Sequence, residues 1–387
     1  MGLARGGAWA RCPYYIHTMR IERIEIREIR LPLVHFFETS FGRTTERKIV
    51  LVRVEADGLI GWGEVTAGEE PFYSHETYET AWHVSRDFLI PWTVGREWAK
   101  ASAVAGRFRP IRGHNMAKAA LENALWDIEA QQQGVSLARL VGGTLEEIPC
   151  GVSIGIQNSI EELLDKIQRE LDSGYQRIKV KIKPGWDVEV LDRIRNEFPA
   201  IALMADANSA YSLKDLNHLK LFDRFFLMMI EQPLGWEDIV DHAQLQHELA
   251  TPICLDESIH SAEDARKAIE LGACKIINIK LGRVGGYTSA RAVHDVCRAH
   301  RIPVWCGGML ESGVGRAHNI AMSSLPGFTL PGDVSASRRY WHEDIIDPEV
   351  TVSAQGTIRV PQSPGLGFTP NLERIEKATV RKESFAE

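Results

Sequence analysis

The chain has 387 residues and a formal net charge of −7, with 44% hydrophobic and 25% charged residues. That balance belongs to a globular protein too long for one small core, with no apolar run of about 18 residues to cross a membrane as a helix and no long Lys/Arg run to hold nucleic acid or an anionic lipid surface. Cys12, Cys150, Cys254, Cys274, Cys297 and Cys306 are scattered without a C-x-x-C pair, so neither a zinc site nor a disulfide framework is indicated, and reduced thiols of a cytoplasmic protein are expected.

Residues 1–18 are basic, and Arg5, Arg11 and Pro13 interrupt the apolar core that a signal peptide needs. They read as a disordered extension ahead of Met19. A capping domain is predicted over residues 19–143. Ile21, Ile24, Ile26 and Ile29 mark a first strand ending at Leu31-Pro32, residues 49–54 alternate as a second, and Asp57-Gly58 turns the chain into a third over 59–63. Residues 37–43 form the intervening loop. Helices are predicted between about residues 75 and 140, most clearly in the Ala/Leu-rich run 116–127. Strands followed by helices make this an α+β domain.

After Gly142-Gly143 the pattern changes. Strand-like runs at 151–154, 177–181, 202–206, 226–231, 252–256, 275–280, 303–306 and, weakly, 330–334 alternate with amphipathic helices. Two helical segments, 159–172 and 261–271, open on Ser with acidic residues in the first turn, a helix-start pattern. Eight such units over residues 144–345 predict an α/β chain with a (β/α)7β TIM-like barrel. An open doubly wound sheet is the alternative, but no G-x-G-x-x-G phosphate turn follows the first strand. Residues 346–387 are expected to return to the capping domain, with one strand-like run at 357–360.

Strands buried in a barrel should be apolar, yet five consecutive ones end on an ionisable residue: Lys181, Asp206, Glu231, Asp256 and Lys280. The gaps of 25, 25, 25 and 24 residues are each about one strand–helix unit. The C-terminal rim, where barrel enzymes carry their chemistry, would gather all five in one mouth. Three carboxylates there raise one another's pKa; a hard divalent cation with oxygen ligands, magnesium above all, removes that conflict. Each residue alone could be an ordinary cap or surface charge, but buried charges at constant spacing need partners or a metal. Lys179 lies two residues before Lys181, on the same strand face. It either lowers the pKa of Lys181, helping it act as a base, or pairs with a carboxylate of the metal site. The glycines of 307–313 either let backbone approach a ligand or form a tight turn.

Lys179-Val-Lys181, Asp206-Ala-Asn208, Glu231-Gln-Pro233, Asp256-Glu-Ser258 and Asn278-Ile-Lys280 resemble the strand ends of the muconate-cycloisomerase-like enolase superfamily. Thr39-Ser40-Phe41-Gly42 and the strings at 281–286, 304–317 and 332–337 narrow the resemblance to the o-succinylbenzoate synthase / N-succinylamino acid racemase family. It covers nearly the whole chain from Met19. Mandelate racemases carry a His–Asp pair on later strands, where this chain has Lys280. Dipeptide epimerases carry D-x-D on the eighth strand, where this chain reads Asp333-Val334-Ser335.

The resemblance implies a lysine base and a Mg²⁺ ion, with Mn²⁺ able to substitute, acting through an enediolate. The metal would be held by Asp206, Glu231 and Asp256. Lys181 and Lys280 would be catalytic with Lys179 beside them, and Ser153, Asn208, Gly308 and Met309 would line the substrate pocket under a closing loop at 37–43. The implied substrate is a small carboxylate. It is either dehydrated to o-succinylbenzoate for menaquinone synthesis, or, as an N-acylamino acid, racemised between the two lysines. The same residues serve both reactions, and both activities in one site are a further alternative. A homo-oligomer is expected, and a non-catalytic carboxylate-binding barrel is the rival from another class.

Overall fold

The computed structural model describes residues 18–387; the expected N-terminal extension lies outside them apart from its last residue. The chain starts with an antiparallel meander of β1 (Met19–Glu38), β2 (Arg43–Ala56) and β3 (Leu59–Val65). Ile21 and Ile24 are both fully buried although three residues apart, which strict alternation forbids. A register shift between Ile21 and Arg23 restores the parity. β1 runs past Pro32 to Glu38, farther than expected. At Pro32 its only partner is β2, because the pairing on its other side ends at Ile29; a proline lacking an N–H is tolerated at such an edge. The expected loop therefore contracts to a tip at residues 39–42.

The helix Asn115–Gln132 lies directly on this sheet. Glycine makes that approach possible: a Cβ on Gly63 would stand 1.9 Å from the Ala120 carbonyl oxygen, and one on Gly61 2.0 Å from that of Ala124. The helix begins under Glu76, whose carboxylate accepts from the amides of Met116 (2.9 Å) and Ala117 (2.8 Å), which would otherwise be unpaired. A short β4 (Glu97–Trp98) pairs with the start of β1, and β5 (Glu147–Pro149) leads into the barrel.

The barrel strands are β6 (Val152–Ile154), β7 (Ile178–Lys181), β8 (Leu203–Asp206), β9 (Ile230–Glu231), β10 (Ile253–Leu255), β11 (Ile276–Ile279) and β12 (Val304–Cys306), parallel and in sequence order. Ser159 and Ser261 cap the helices Ile160–Asp172 and Ala262–Leu271 as the sequence predicts. The eighth run is no strand. Gly332 accepts from the amide of Gly151 (2.7 Å) and donates to the Pro149 carbonyl (3.2 Å), and the next amide, that of Asp333, donates to the Cys306 carbonyl (2.8 Å). This segment bridges the two edges of the sheet, but Pro331 has no N–H to extend the ladder.

After the barrel come β13 (Ile346–Asp347), β14 (Thr357–Arg359), β15 (Thr369–Pro370) and β16 (Thr379–Ala386). β14 pairs with β5 at the barrel's start, not with the first sheet. The return to the first sheet is made by β16, antiparallel to β1.

Two buried carboxylates join cap to barrel. Glu64 of β3 accepts from the amides of Ser312 (3.0 Å) and Gly315 (2.9 Å) at the start of the helix Gly313–Ser323. Glu122 accepts from the Thr288 amide (3.3 Å) at the start of Tyr287–Ala299. Helix N-termini favour such acceptors, but burial pushes the carboxyls up, Glu64 to about 8 and Glu122 to about 7. The folded chain thus holds protons that the unfolded chain, near the ordinary 4.5, has released. Their contribution to stability is full below about pH 4.5 and is lost as pH rises towards 7 and 8. Denaturation at a series of pH values should show this decline, and Glu64→Gln should flatten its upper part. Gly63→Ala should destabilise the fold by about 1–3 kcal/mol in denaturant titrations, because the helix must lift off the sheet.

Candidate active site

Lys181, Asp206 and Glu231 close their strands, and Asp256 and Lys280 follow theirs by one residue. Register places Lys181 beside Asp206, and Asp206 beside Glu231. All five side chains are buried. The order around the rim is Lys, Asp, Glu, Asp, Lys, so the two lysines stand four strands apart with the carboxylates between them.

Each charge is answered by a neighbour. The Lys181 ammonium donates to Asp206 Oδ2 (2.6 Å) and Asn208 Oδ1 (2.7 Å). Lys280 donates to Asp256 Oδ2 (2.7 Å) and to the Tyr73 hydroxyl (3.1 Å), which itself donates to Asp256 Oδ1 (3.0 Å). Lys179 sits deeper, against Asp333 (2.6 Å), Glu231 (2.8 Å) and Asp206 (3.2 Å), with its ammonium 4.8 Å from the Trp305 ring centroid. Arg177 holds Asp333 from the other side at 2.8 Å. Asn278 donates to Glu231 Oε1 (2.7 Å), and Arg283 donates to Asp256.

These contacts set opposite tendencies on the lysines. Burial lowers the pKa of Lys181, and the Lys179 charge adds to that against the pull of Asp206. Burial works against the charge of Lys280 too, but Tyr73, Glu231 and Glu257 outweigh it and raise its pKa. Lys179 is likewise raised by Asp333, Glu231 and Asp206 in spite of burial. Lys179 thus pairs with carboxylates, and its charge also weighs on Lys181.

A cleft of about 480 Å³ opens above this rim between cap and barrel. Lys181, Asn208, Lys280, Gly308 and Met309 line it, facing Phe37, Phe41, Phe72 and Tyr73 of the cap. Ser153 does not line it: that residue pairs with Lys179 on the next strand, and its buried Oγ has no hydrogen-bond partner. Asn208 sits in the left-handed region at φ 41°. Its carbonyl accepts from Ser40 Oγ (3.1 Å) at the tip of the cap hairpin, and its amide nitrogen Nδ2 donates to Glu257 (2.9 Å). Gly307 is needed for space, since a Cβ there would stand 2.6 Å from the Lys280 side chain and 2.4 Å from that of Asn278.

Among the described residues no three His, Cys, Asp or Glu side chains surround one point as a ready metal cage. Ammonium groups stand between the carboxylates instead. The donor set nonetheless suits a hard divalent cation: Asp206, Glu231 and Asp256 offer only oxygen from adjacent strands, and Glu257 Oε2 is buried beside them with no partner. Lys179, Lys181, Lys280 and Arg283 balance Asp206, Glu231 and Asp256 in the fully charged state, while burial pushes Glu257 up to about 7.

Sequence reasoning passes over Tyr73, Glu257, Arg283 and the roles of Asn278 and Asp333. The alternation that sets Lys179 beside Lys181 also sets Asn278 beside Lys280, so that signal is present. Tyr73 lies on a cap loop more than 200 positions from Lys280, and no spacing links them.

Residues 23–142 match the family described as Mandelate racemase / muconate lactonizing enzyme, N-terminal domain, and residues 162–375 match Enolase C-terminal domain-like. The chain is 52% identical to an o-succinylbenzoate synthase of Geobacillus kaustophilus, covering 94% of this chain and 96% of the relative. It is 48% identical to an N-succinylamino acid racemase of Thermus thermophilus, covering 94% and 98%. A solved enolase-superfamily structure from Listeria innocua superposes with TM-score 0.91 at 42% identity, over 95% of this chain and 99% of that one. Gly307→Ala should cut turnover by about a hundredfold through displacement of Lys280, while circular dichroism shows the fold retained.

Proposed function

The chain belongs to the enolase superfamily, in its mandelate racemase / muconate lactonizing enzyme group, and from that membership we propose that it is a metal-dependent o-succinylbenzoate synthase. One arrangement carries the reading: two lysines four strands apart line one cleft, with three carboxylates buried on the strands between them. The names of the relatives at about half identity over nearly the whole chain support it.

Lys181 would take the proton alpha to the carboxylate of a 2-succinyl-6-hydroxycyclohexadiene-1-carboxylate. The electron pair then expels the hydroxyl group, which leaves as water with the proton that Lys181 returns, and the ring becomes aromatic. Lys280, fixed between Asp256 and Tyr73, presents an ammonium from across the mouth to the charge that develops. Mg²⁺ held by Asp206, Glu231 and Asp256 would supply positive charge to carboxylate oxygens that turn negative. The hairpin tip, tied to Asn208 through Ser40, would cover the bound substrate. This reading puts the reaction in menaquinone synthesis, in the cytoplasm.

Racemisation of N-succinylamino acids is the second reading, favoured by the same pair of opposed lysines: one removes the alpha proton and the other delivers a proton to the opposite face. The test is a Mg²⁺-dependent assay of the cyclohexadiene substrate beside loss of optical rotation of N-succinylamino acids. Fast dehydration with slow racemisation supports the synthase, racemisation alone supports the racemase, and activity on neither rejects both. Lys181→Ala should lower either turnover by about 10³-fold or more, and chelation of the metal should abolish both. Lys280→Arg should spare dehydration more than racemisation, because arginine keeps the charge but yields no proton.

A further inference from the structure

Four cations of the cap hairpin line the cleft: Arg30, Arg43, Arg47 and Lys48. Three of them have carboxylate partners, with Arg30 at 3.6 Å from Glu28, Arg43 at 2.7 Å from Glu38 and Lys48 at 2.6 Å from Glu69. Arg47, on β2, differs. It is the most deeply buried of the four, at 5% exposure. Its Nη2 donates to the carbonyls of Thr66 (3.3 Å) and Ala67 (3.1 Å), but its buried Nε has no partner. Among the described residues no carboxylate stands within ion-pair reach of it; Glu64, Glu311 and Glu69 act on it only from a distance.

A buried guanidinium without a carboxylate is costly unless something answers it. Its planar fork suits an oxyanion, carboxylate or phosphate, and of these the substrates proposed above carry carboxylates. We propose that Arg47, in the wall of the cleft that β2 supplies, receives the remote carboxylate of the substrate. The proposal rests on the function proposed above and narrows it to a succinyl group, whose terminal carboxylate both candidate substrates share. A cleft of about 480 Å³ is within the ordinary range for a ligand of this size.

The test measures binding rather than turnover, so it is independent of which reaction the enzyme performs. N-succinylglycine and N-butanoylglycine have the same length and differ in a terminal carboxylate against a methyl group. Calorimetric titration of the Mg²⁺-loaded protein should show the succinyl compound bound at least about tenfold more tightly, the worth of one charge-assisted hydrogen bond. Arg47→Met should bring the two affinities to within about twofold, and Arg47→Lys should keep part of the preference. Equal affinities in the wild type, no binding of N-succinylglycine, or a preference that survives Arg47→Met would each overturn the proposal. A purely structural Arg47 would weaken both ligands alike and leave their ratio unchanged. Should Arg47→Met not fold, Arg47→Lys and Arg47→Gln supply the same ratio. Failure of the proposed function is seen separately, as absence of turnover on both substrate classes while the binding preference stands.

Discussion

Burying several ionised side chains in the mouth of one barrel is tolerable only if each lies within reach of an opposite charge held by a neighbouring strand. That constraint organises the centre of this molecule. Lys179 is shared among Asp206, Glu231 and Asp333, and Arg177 holds Asp333 in turn. Lys181 answers Asp206, and Lys280 with Arg283 answers Asp256. Lys179 and Lys181 on β7 meet Asp206 on β8 and Glu231 on β9, so these pairs also fix strand register. A slip of one residue in β7 would turn both lysines out of the barrel and leave Asp206 and Glu231 facing each other unpaired.

The same network explains the glycines and amides around it. Gly307 leaves room for the Lys280 and Asn278 side chains. Asn278 donates to Oε1 of Glu231 and Asn208 to Oε1 of Glu257 without adding charge. The rim charges stand on or just after short barrel strands, and the cap faces them with the hairpin tip at 39–42, the aromatic side chains Phe41 and Phe72, and Tyr73, which reaches down to Lys280 and Asp256.

Cap and barrel are joined by buried acids as well as by apolar contact. Glu64 and Glu122 each leave the cap to meet the first turn of a barrel helix, where unpaired amides welcome an acceptor. β16 adds a hydrogen-bonded return, pairing the end of the chain with β1. The cap is thereby held over the cleft from both ends of the sequence, and the Tyr73 and Ser40 contacts to the rim depend on that placement.

The sequence by itself determined the barrel and its charged rim. Strand–helix alternation with a period near 25 residues, and an ionisable residue at the same place in five successive units, are properties of order along the chain. They survive any uncertainty about how distant parts meet. Ile21 with Ile24, Pro32 and the run at 330–334 misled simple alternation because a bulge, an edge position and a barrel closure each depend on the neighbouring strand. What only the tertiary structure decided is which side chains from far-off segments share the cleft. Tyr73 beside Lys280, Glu64 at the helix after β12 and Arg47 without a carboxylate follow from domain docking. So does the placement of Ser153 outside the cleft lining. Docking sets distances between residues whose separation along the chain carries no periodic signal.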